Sequence, residues 1–261
     1  MRIPLYQIDA FAERPFAGNP AAVCPLETWL PEDVMQAIAA ENNLSETAFF
    51  VPESEGYRLR WFTPSTEVDL CGHATLASGY VVFRWLQPER ASITFQTEKA
   101  GVLTVSRDGD LLALDFPSRP PVPCAMSEPL AAALGRRPAA LLTSRDYLAV
   151  YNSADDIAVL SPDLAAVAAL DKFAVIVTAP GTGGIDFVSR FFAPARGVDE
   201  DPVTGSAHCT LIPYWATRLG KNRLEARQLS RRGGALSCAF NGDRVTIAGR
   251  ASPYLEGTIT V

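Results

Sequence analysis

The stretch Arg60-Trp61-Phe62-Thr63-Pro64 decides the fold, because Arg190-Phe191-Phe192-Ala193-Pro194 repeats its pattern 130 residues later. The same offset aligns Val68-Asp69 with Val198-Asp199. Several matches in one order and one register indicate an internal duplication of about half the chain. Two copies predict a protein of two similar lobes, whereas a solenoid would need a longer series of repeats.

Each copy continues into a glycine motif and an apolar helix. After three inserted residues, Gly72-His73-Ala74 aligns with Gly205-Ser206-Ala207. Helices are predicted over 74–85 and 207–219, and both are apolar almost all round. A helix of that kind is buried, so we expect each one to lie inside a wrap of strands.

The remaining pattern mixes strands and helices without a regular alternation, which favours an α+β fold over a doubly wound sheet. The proline-rich segment 118–123 cannot continue a central strand and reads as a linker. We therefore predict an N-terminal lobe over 1–118 and a C-terminal lobe over 119–254, with 255–261 returning to the first lobe. Each lobe is expected to be a curved mixed sheet or barrel around a central helix.

Composition excludes several classes of protein. The chain has 261 residues, 48% of them apolar, and a net charge of -6, which argues against nucleic acid as the main partner. No apolar run approaches the roughly 20 residues of a membrane span, and the N-terminus lacks a signal sequence. Five scattered cysteines form no disulfide framework, so a cytoplasmic location is expected.

The candidate chemistry lies near the two glycine motifs. His73 belongs to the first motif, and imidazole moves protons near neutral pH. Glu46 precedes the apolar run 48–51, so partial burial would raise its pKa towards that of a general acid. Asp201 lies in a tight turn before the second motif. Cys71, His73 and the distant His208-Cys209 pair are too few and too dispersed to predict a metal site.

Gly72 and Gly205 each stand at the start of a helix. Free amides at a helix N-terminus carry partial positive charge and favour an anion such as a carboxylate. Neither motif is a Walker A loop or a dinucleotide fingerprint, so a nucleotide is not indicated. Two capped structural helices remain the alternative interpretation.

Taken together, the motifs resemble the phenazine-biosynthesis PhzF-like family of isomerases over nearly the whole chain. The resemblance implies a diaminopimelate-epimerase-like fold with the active site between two similar lobes. The motifs that carry it are Gln7–Phe11, Pro15–Ala21, Asn43–Thr47, Leu70–Thr75 and Asp199–Ala207.

The resemblance also implies the roles of individual residues. Glu46 matches the family's acid/base, and His73 and Asp201 match catalytic positions around it. Substrate-binding positions match Ser45, Gly72, Gly205 and Ser206. Family members need no cofactor and are often homodimers. The namesake moves a proton within a cyclic dihydro-hydroxy amino acid, but nothing in this sequence selects that substrate over another small carboxylate.

Two other functions stay open. Epimerases and racemases of this fold use two cysteines, one before the glycine of each helix-start motif. Cys71 fits the first position, but the repeat places Thr204 at the second and Cys209 lies four residues too late. The second alternative is a protein that binds a small molecule without turning it over.

Overall fold

A computed structural model describes residues 1–261 of the chain. The chain forms two compact units, with residues 1–115 and 248–261 in unit 1 and residues 116–247 in unit 2. The boundaries fall within two strands, Leu111–Pro117 and Arg244–Gly249. No helix is both long and apolar enough to cross a membrane.

Unit 1 combines nine strands with two α-helices. The strands are β1 (Arg2–Ala10), β2 (Asn19–Pro25), β3 (Glu46–Glu53), β4 (Gly56–Phe62), β5 (Glu67–Val68), β6 (Ser92–Gln96), β7 (Val102–Asp108), β8 (Leu111–Pro117) and β17 (Ala251–Thr260). The helices are α1 (Glu32–Asn42) and α2 (Gly72–Val81), and α2 continues into a π-helical turn, Val82–Leu86.

Unit 2 has the remaining eight strands and four helices. The strands are β9 (Val122–Pro123), β10 (Ala140–Thr143), β11 (Tyr147–Val150), β12 (Val175–Pro180), β13 (Phe187–Phe192), β14 (Arg223–Gln228), β15 (Gly234–Asn241) and β16 (Arg244–Gly249). The helices are α3 (Glu128–Ala133), α4 (Ala154–Ala158), α5 (Leu164–Ala168) and α6 (Gly205–Leu219), with a 3-10 turn at Pro194–Arg196.

The two units repeat one strand topology, which confirms the duplication. In unit 1, β1 and β2 are antiparallel, β2 and β3 parallel, β3 and β4 antiparallel, β4 and β6 parallel, and β6 and β7 antiparallel. In unit 2, β10 to β15 pair in the same alternating order. Both parallel pairs in each unit span a helical connection, as parallel pairing requires.

A central helix lies against the concave side of each unit's strands. In unit 1, α2 contacts β17 and β1 near one end of the strand order and β7 near the other, so the sheet curves around it. The approach is close at Gly79, where an added Cβ would lie 2.7 Å from Val105. These contacts confirm the predicted fold class.

Helix α6 is the counterpart of α2 in unit 2. Trp215 of α6 donates a hydrogen bond to Thr178 Oγ1 on β12 at 3.0 Å and stacks on Phe187 of β13. Pro213 has no N–H to give to the carbonyl of Cys209 one turn earlier. The amide of Arg119 donates to that carbonyl instead, at 2.8 Å, so the buried oxygen keeps a partner.

The outer helices cover the other face of each sheet. Met35 and Ile38 of α1 pack with Phe49 and Phe62 of β3 and β4. Unit 2 builds the equivalent cluster from α3, α4 and α5, where Leu130, Ile157 and Val167 contact strand residues.

Two helices differ from their predicted bounds. Both central helices begin two residues earlier than predicted, so that Gly72 and Gly205 are their first residues. The α-helical part of α2 ends at Val81, where a π-helical turn takes over. In that turn the amide of Gln87 donates to the carbonyl of Val82, five residues earlier.

Candidate active site

Glu46 is the first residue of β3, where the chain leaves α1. Asn43 ends α1 in the left-handed conformation, at φ 50°, and so turns the chain sharply towards the strand. Ser45 lies half-buried in the bend that follows. Glu46 pairs in parallel with Ala21 of β2, and 17% of its side chain is exposed. The carboxylate is therefore largely shielded while still reachable from solvent.

The first helix-start motif places a thiol and an imidazole beside this carboxylate. Cys71 is extended, at φ -139° and ψ 109°, and directly precedes α2. His73 Nε2 lies 3.2 Å from Glu46 Oε2, and His73 Nδ1 lies 3.4 Å from Cys71 Sγ. One imidazole ring thus joins the carboxylate to the thiol.

His73 is buried, and burial lowers its pKa to about 3. The ring is therefore neutral near pH 7 and carries one N–H. A neutral imidazole donates through one nitrogen and accepts through the other. Such a side chain is suited to orient a neighbouring carboxylate.

Glu46, Cys71 and His73 also offer three metal-ligand atoms within 4.8 Å of one another. The thiol faces Nδ1 of the ring, however, and the carboxylate faces Nε2. The three groups thus form a compact cluster in which the ring contacts both of its neighbours.

The second helix-start motif holds a neutral hydroxyl where the first holds a thiol. Thr204 is extended, at φ -117° and ψ 101°, and directly precedes α6. Its hydroxyl donates a short hydrogen bond to Asp201 Oδ2, and its amide donates to Gln228 Oε1 at 2.9 Å. Gln228 Nε2 in turn donates to the carbonyl of Asp201 at 2.7 Å and to Thr204 Oγ1 at 3.1 Å. The turn that carries Asp201 is thereby fixed to β14.

Ser206 in the first turn of α6 contacts an arginine. Arg145 Nη2 donates to Ser206 Oγ at 3.4 Å. Gly205 and Ser206 also contribute two of the amides that an α-helix leaves without intrahelical acceptors at its start. This end of α6 therefore presents hydrogen-bond donors and positive charge.

The other histidine has a structural setting. His208 is fully buried, and its Nδ1 lies 2.8 Å from the carbonyl of Thr204. Burial lowers the pKa of His208 to about 4, although the bond to the carbonyl acts in the opposite direction. Burial also raises the pKa of the neighbouring Cys209 thiol to about 11, which disfavours a thiolate.

The structure thus brings Glu46 and His73 together in unit 1 and places Asp201, Gly205 and Ser206 around the start of α6 in unit 2. Sequence reasoning missed Gln228 and Arg145. Gln228 gives no signal, because it ends an alternating strand like any polar residue. Arg145-Asp146 gives only a weak sequence signal, because it is a charged pair between two apolar strands.

Comparisons with known proteins agree with this architecture. A family model described as "Phenazine biosynthesis-like protein" matches residues 8–257. An uncharacterized isomerase of Pseudomonas aeruginosa is 52% identical over 259 residues, which cover 99% of each chain. A PhzF-family crystal structure from Enterococcus faecalis is 46% identical, with a TM-score of 0.98 and full coverage of both chains.

A more distant neighbour shares the fold alone. The hydroxyproline epimerase of Agrobacterium vitis is 12% identical, with a TM-score of 0.60 over 99% of this chain and 91% of its own. Its likeness supports the epimerase-like fold.

Proposed function

The chain belongs to the phenazine-biosynthesis PhzF-like family, and from that premise we propose that it is a cofactor-independent isomerase. The proposed reaction moves a proton on a small carboxylate-bearing substrate. The observation that carries the proposal is the 3.2 Å contact between Glu46 and the buried ring of His73. The isomerase name of the 52% identical relative supports the same class of reaction.

In the proposed mechanism, Glu46 removes a proton from a substrate carbon and returns it to another position on the same face. A shielded carboxylate suits this step, because a general base needs a pKa nearer to neutrality than that of a fully solvated acid. Neutral His73 lies 3.2 Å from one carboxylate oxygen of Glu46, which leaves the other oxygen for the substrate proton. His73 thus fixes the direction in which Glu46 acts.

The substrate carboxylate is assigned to helix-start donors. Amides of Gly72, Gly205 and Ser206 are proposed to bind it, with Ser45 as a further donor, and Asp201 to orient the substrate. That residues of both units serve one substrate follows from the family resemblance, which implies an active site between the lobes. Fixed donors of this kind also stabilise negative charge that develops next to the carboxylate when the proton leaves.

The two-thiol racemase is the weaker alternative. Thr204 stands at the position of the second thiol, and a threonine hydroxyl is no acid/base at neutral pH. Its hydroxyl is already bonded to Asp201. Cys209, the next thiol along the helix, is buried with its pKa raised to about 11. Both observations favour Glu46 over a thiol pair.

Deuterium exchange tests the proposal against the alternative of a protein that only binds. The wild-type protein is incubated in deuterated water with a panel of cyclic acids, α-amino acids and α-hydroxy acids, and mass spectrometry measures deuterium at carbon. Incorporation that depends on Glu46 supports the isomerase. Tight binding of a panel member without any exchange would instead support a small-molecule-binding protein.

Assembly and location complete the proposal. We expect a homodimer with two-fold symmetry in the cytoplasm, without nucleic acid or membrane as a partner. Light scattering across a concentration series tests the dimer. A mass that stays near the chain's 28.1 kDa at high micromolar concentration would contradict it.

A further inference from the structure

An arginine outside the family motifs stands next to the start of α6. Arg145 lies in the turn between β10 and β11, and its Nη2 reaches Ser206 Oγ at 3.4 Å. The same turn is tied to the second turn of α6 by a 3.1 Å hydrogen bond between the hydroxyls of Ser144 and Thr210. The position of Arg145 relative to Ser206 is therefore fixed by a second contact.

The guanidinium of Arg145 is also held in orientation. Its Nε donates to Asp146 Oδ1 at 3.2 Å, and only 2% of the Asp146 side chain is exposed. The guanidinium carbon lies 4.1 Å from the centroid of the Phe173 ring. With 38% of its own side chain exposed, Arg145 remains accessible. A side chain ordered in advance loses less entropy when it binds a ligand.

Positive charge accumulates around this point. Arg196 lies over the same Phe173 ring at 4.8 Å. The charges of Arg119 and Arg145 lower the pKa of Cys209 against the effect of burial, so their field reaches the first turns of α6. Among the nearby acids, Asp201 accepts from the Thr204 hydroxyl, and Glu200 forms an ion pair with Arg190 at 2.7 Å. Asp146 already pairs with Arg145 at 3.2 Å, so the excess positive charge at this point comes from Arg119 and Arg196.

We propose that Arg145 binds a second carboxylate of the substrate, so that the preferred substrates are dicarboxylates. This inference rests on the proposed function, in which the helix-start amides hold the first carboxylate. The amides of Gly205 and Ser206 point along the axis of α6, whereas the Ser206 side chain projects from its flank. Arg145 contacts that side chain through Nη2 and pairs with Asp146 through Nε, which leaves Nη1 for a second carboxylate. A guanidinium matches a carboxylate through two parallel N–H bonds.

The test compares malonate with monomethyl malonate, which has a similar size and one charge fewer. NMR titrations of the wild-type protein follow the amide signals of Gly205 and Ser206. Malonate should bind about tenfold more tightly than monomethyl malonate, which is the gain expected from one charge-assisted hydrogen bond. In Arg145→Gln the preference should fall to about twofold or less, and in Arg145→Lys, which keeps the charge without the planar fork, to an intermediate value.

Arg137→Gln is the matched control, because Arg137 lies in the same unit but is exposed and paired with Glu128. It should keep the full preference. Equal affinities of wild type for the two probes, or an unchanged preference in Arg145→Gln, would overturn the inference. Equal weakening of both probes in Arg145→Gln would also overturn it, since Arg145 would then serve the first carboxylate. Glu46→Gln should retain the malonate preference, so a failure of proton transfer and a failure of this site are told apart.

Discussion

The two helix-start motifs have matching backbones and different side chains. Cys71 and Thr204 are both extended and both stand directly before a central helix. In unit 1 the motif supplies a thiol and an imidazole, which lie beside Glu46. In unit 2 it supplies hydroxyls, which are bonded to Asp201 and Arg145. Duplication kept the scaffold, while the side chains of the two motifs diverged. In the proposed function, unit 1 performs the proton transfer and unit 2 contributes to substrate binding.

An ion pair shows how closely the scaffold was kept. Arg60 on β4 forms a two-bond pair with Glu67, at 2.6 and 2.7 Å, and stacks over Phe62. Arg190 on β13 forms the same two-bond pair with Glu200, at 2.7 and 2.9 Å, and stacks over Phe192. Each pair anchors the loop that leads into its helix-start motif. The two loops are thus held in the same way although the side chains of the motifs that follow them differ.

The largest expected effect comes from removing Glu46, the proposed proton-transferring group of unit 1. Glu46→Gln keeps the shape of the side chain but cannot accept a proton. Turnover, measured as deuterium exchange at substrate carbon, should fall by roughly 10²–10⁴-fold. Substrate affinity should change little, because the substrate carboxylate is assigned to helix-start amides.

Glu53→Gln provides the control, since Glu53 is exposed at the other end of the same strand. It should leave turnover unchanged. Near-normal exchange in Glu46→Gln would refute the mechanism, and with it the assignment of acid/base chemistry to unit 1.

The next effect is on the stability of unit 2. Thr204→Val removes the hydroxyl that donates to Asp201 and accepts from Gln228 while keeping the shape of the side chain. Urea unfolding should show a loss of about 1–3 kcal/mol in the free energy of unfolding, because buried polar partners are left unsatisfied. Thr204→Ser should recover most of it. A Thr204→Val variant as stable as wild type would show that the Asp201 turn is held by other contacts.

Much of this comparison was accessible from sequence. The repeat predicted two lobes and two central helices, and the position of Glu46 before an apolar run predicted a shielded carboxylate. The π-helical turn at 82–86 was not predictable, because apolar periodicity does not distinguish a five-residue step from a four-residue one. Neither was the contact of Arg145 with Ser206, which joins residues 61 positions apart. Such pairs depend on tertiary packing rather than on local pattern.

A smaller effect is the pH dependence of stability that His208 contributes. The folded state keeps His208 neutral, with its pKa lowered to about 4, whereas an unfolded histidine has a pKa near 6.5. The unfolded state then binds the additional proton, so this stabilisation is complete above about pH 6.5 and is lost as pH falls towards 4. Within that window, the free energy of unfolding contributed by His208 changes by about 1.4 kcal/mol per pH unit.

Comparing wild type with His208→Asn isolates this contribution. Chemical unfolding between pH 7 and pH 5 should give a shallower loss of stability in the variant, whatever its absolute stability. Equal slopes for the two proteins would mean that His208 titrates alike in the folded and unfolded states.

The smallest expected effect concerns the thiol of unit 1 and bears most directly on the comparison of the motifs. Cys71→Ala removes the group that faces His73 Nδ1 at 3.4 Å but leaves the contact of His73 with Glu46. Because a thiol is a weak hydrogen-bond partner, exchange should stay within about threefold of wild type. Thr204→Cys makes the reciprocal change and places a thiol before each central helix. If Glu46 performs the proton transfer, this variant gains no inversion of an α-carbon, measured by chiral chromatography of the recovered acids. Loss of exchange in a folded Cys71→Ala variant, together with inversion by Thr204→Cys, would instead make the thiol position the active one in both units.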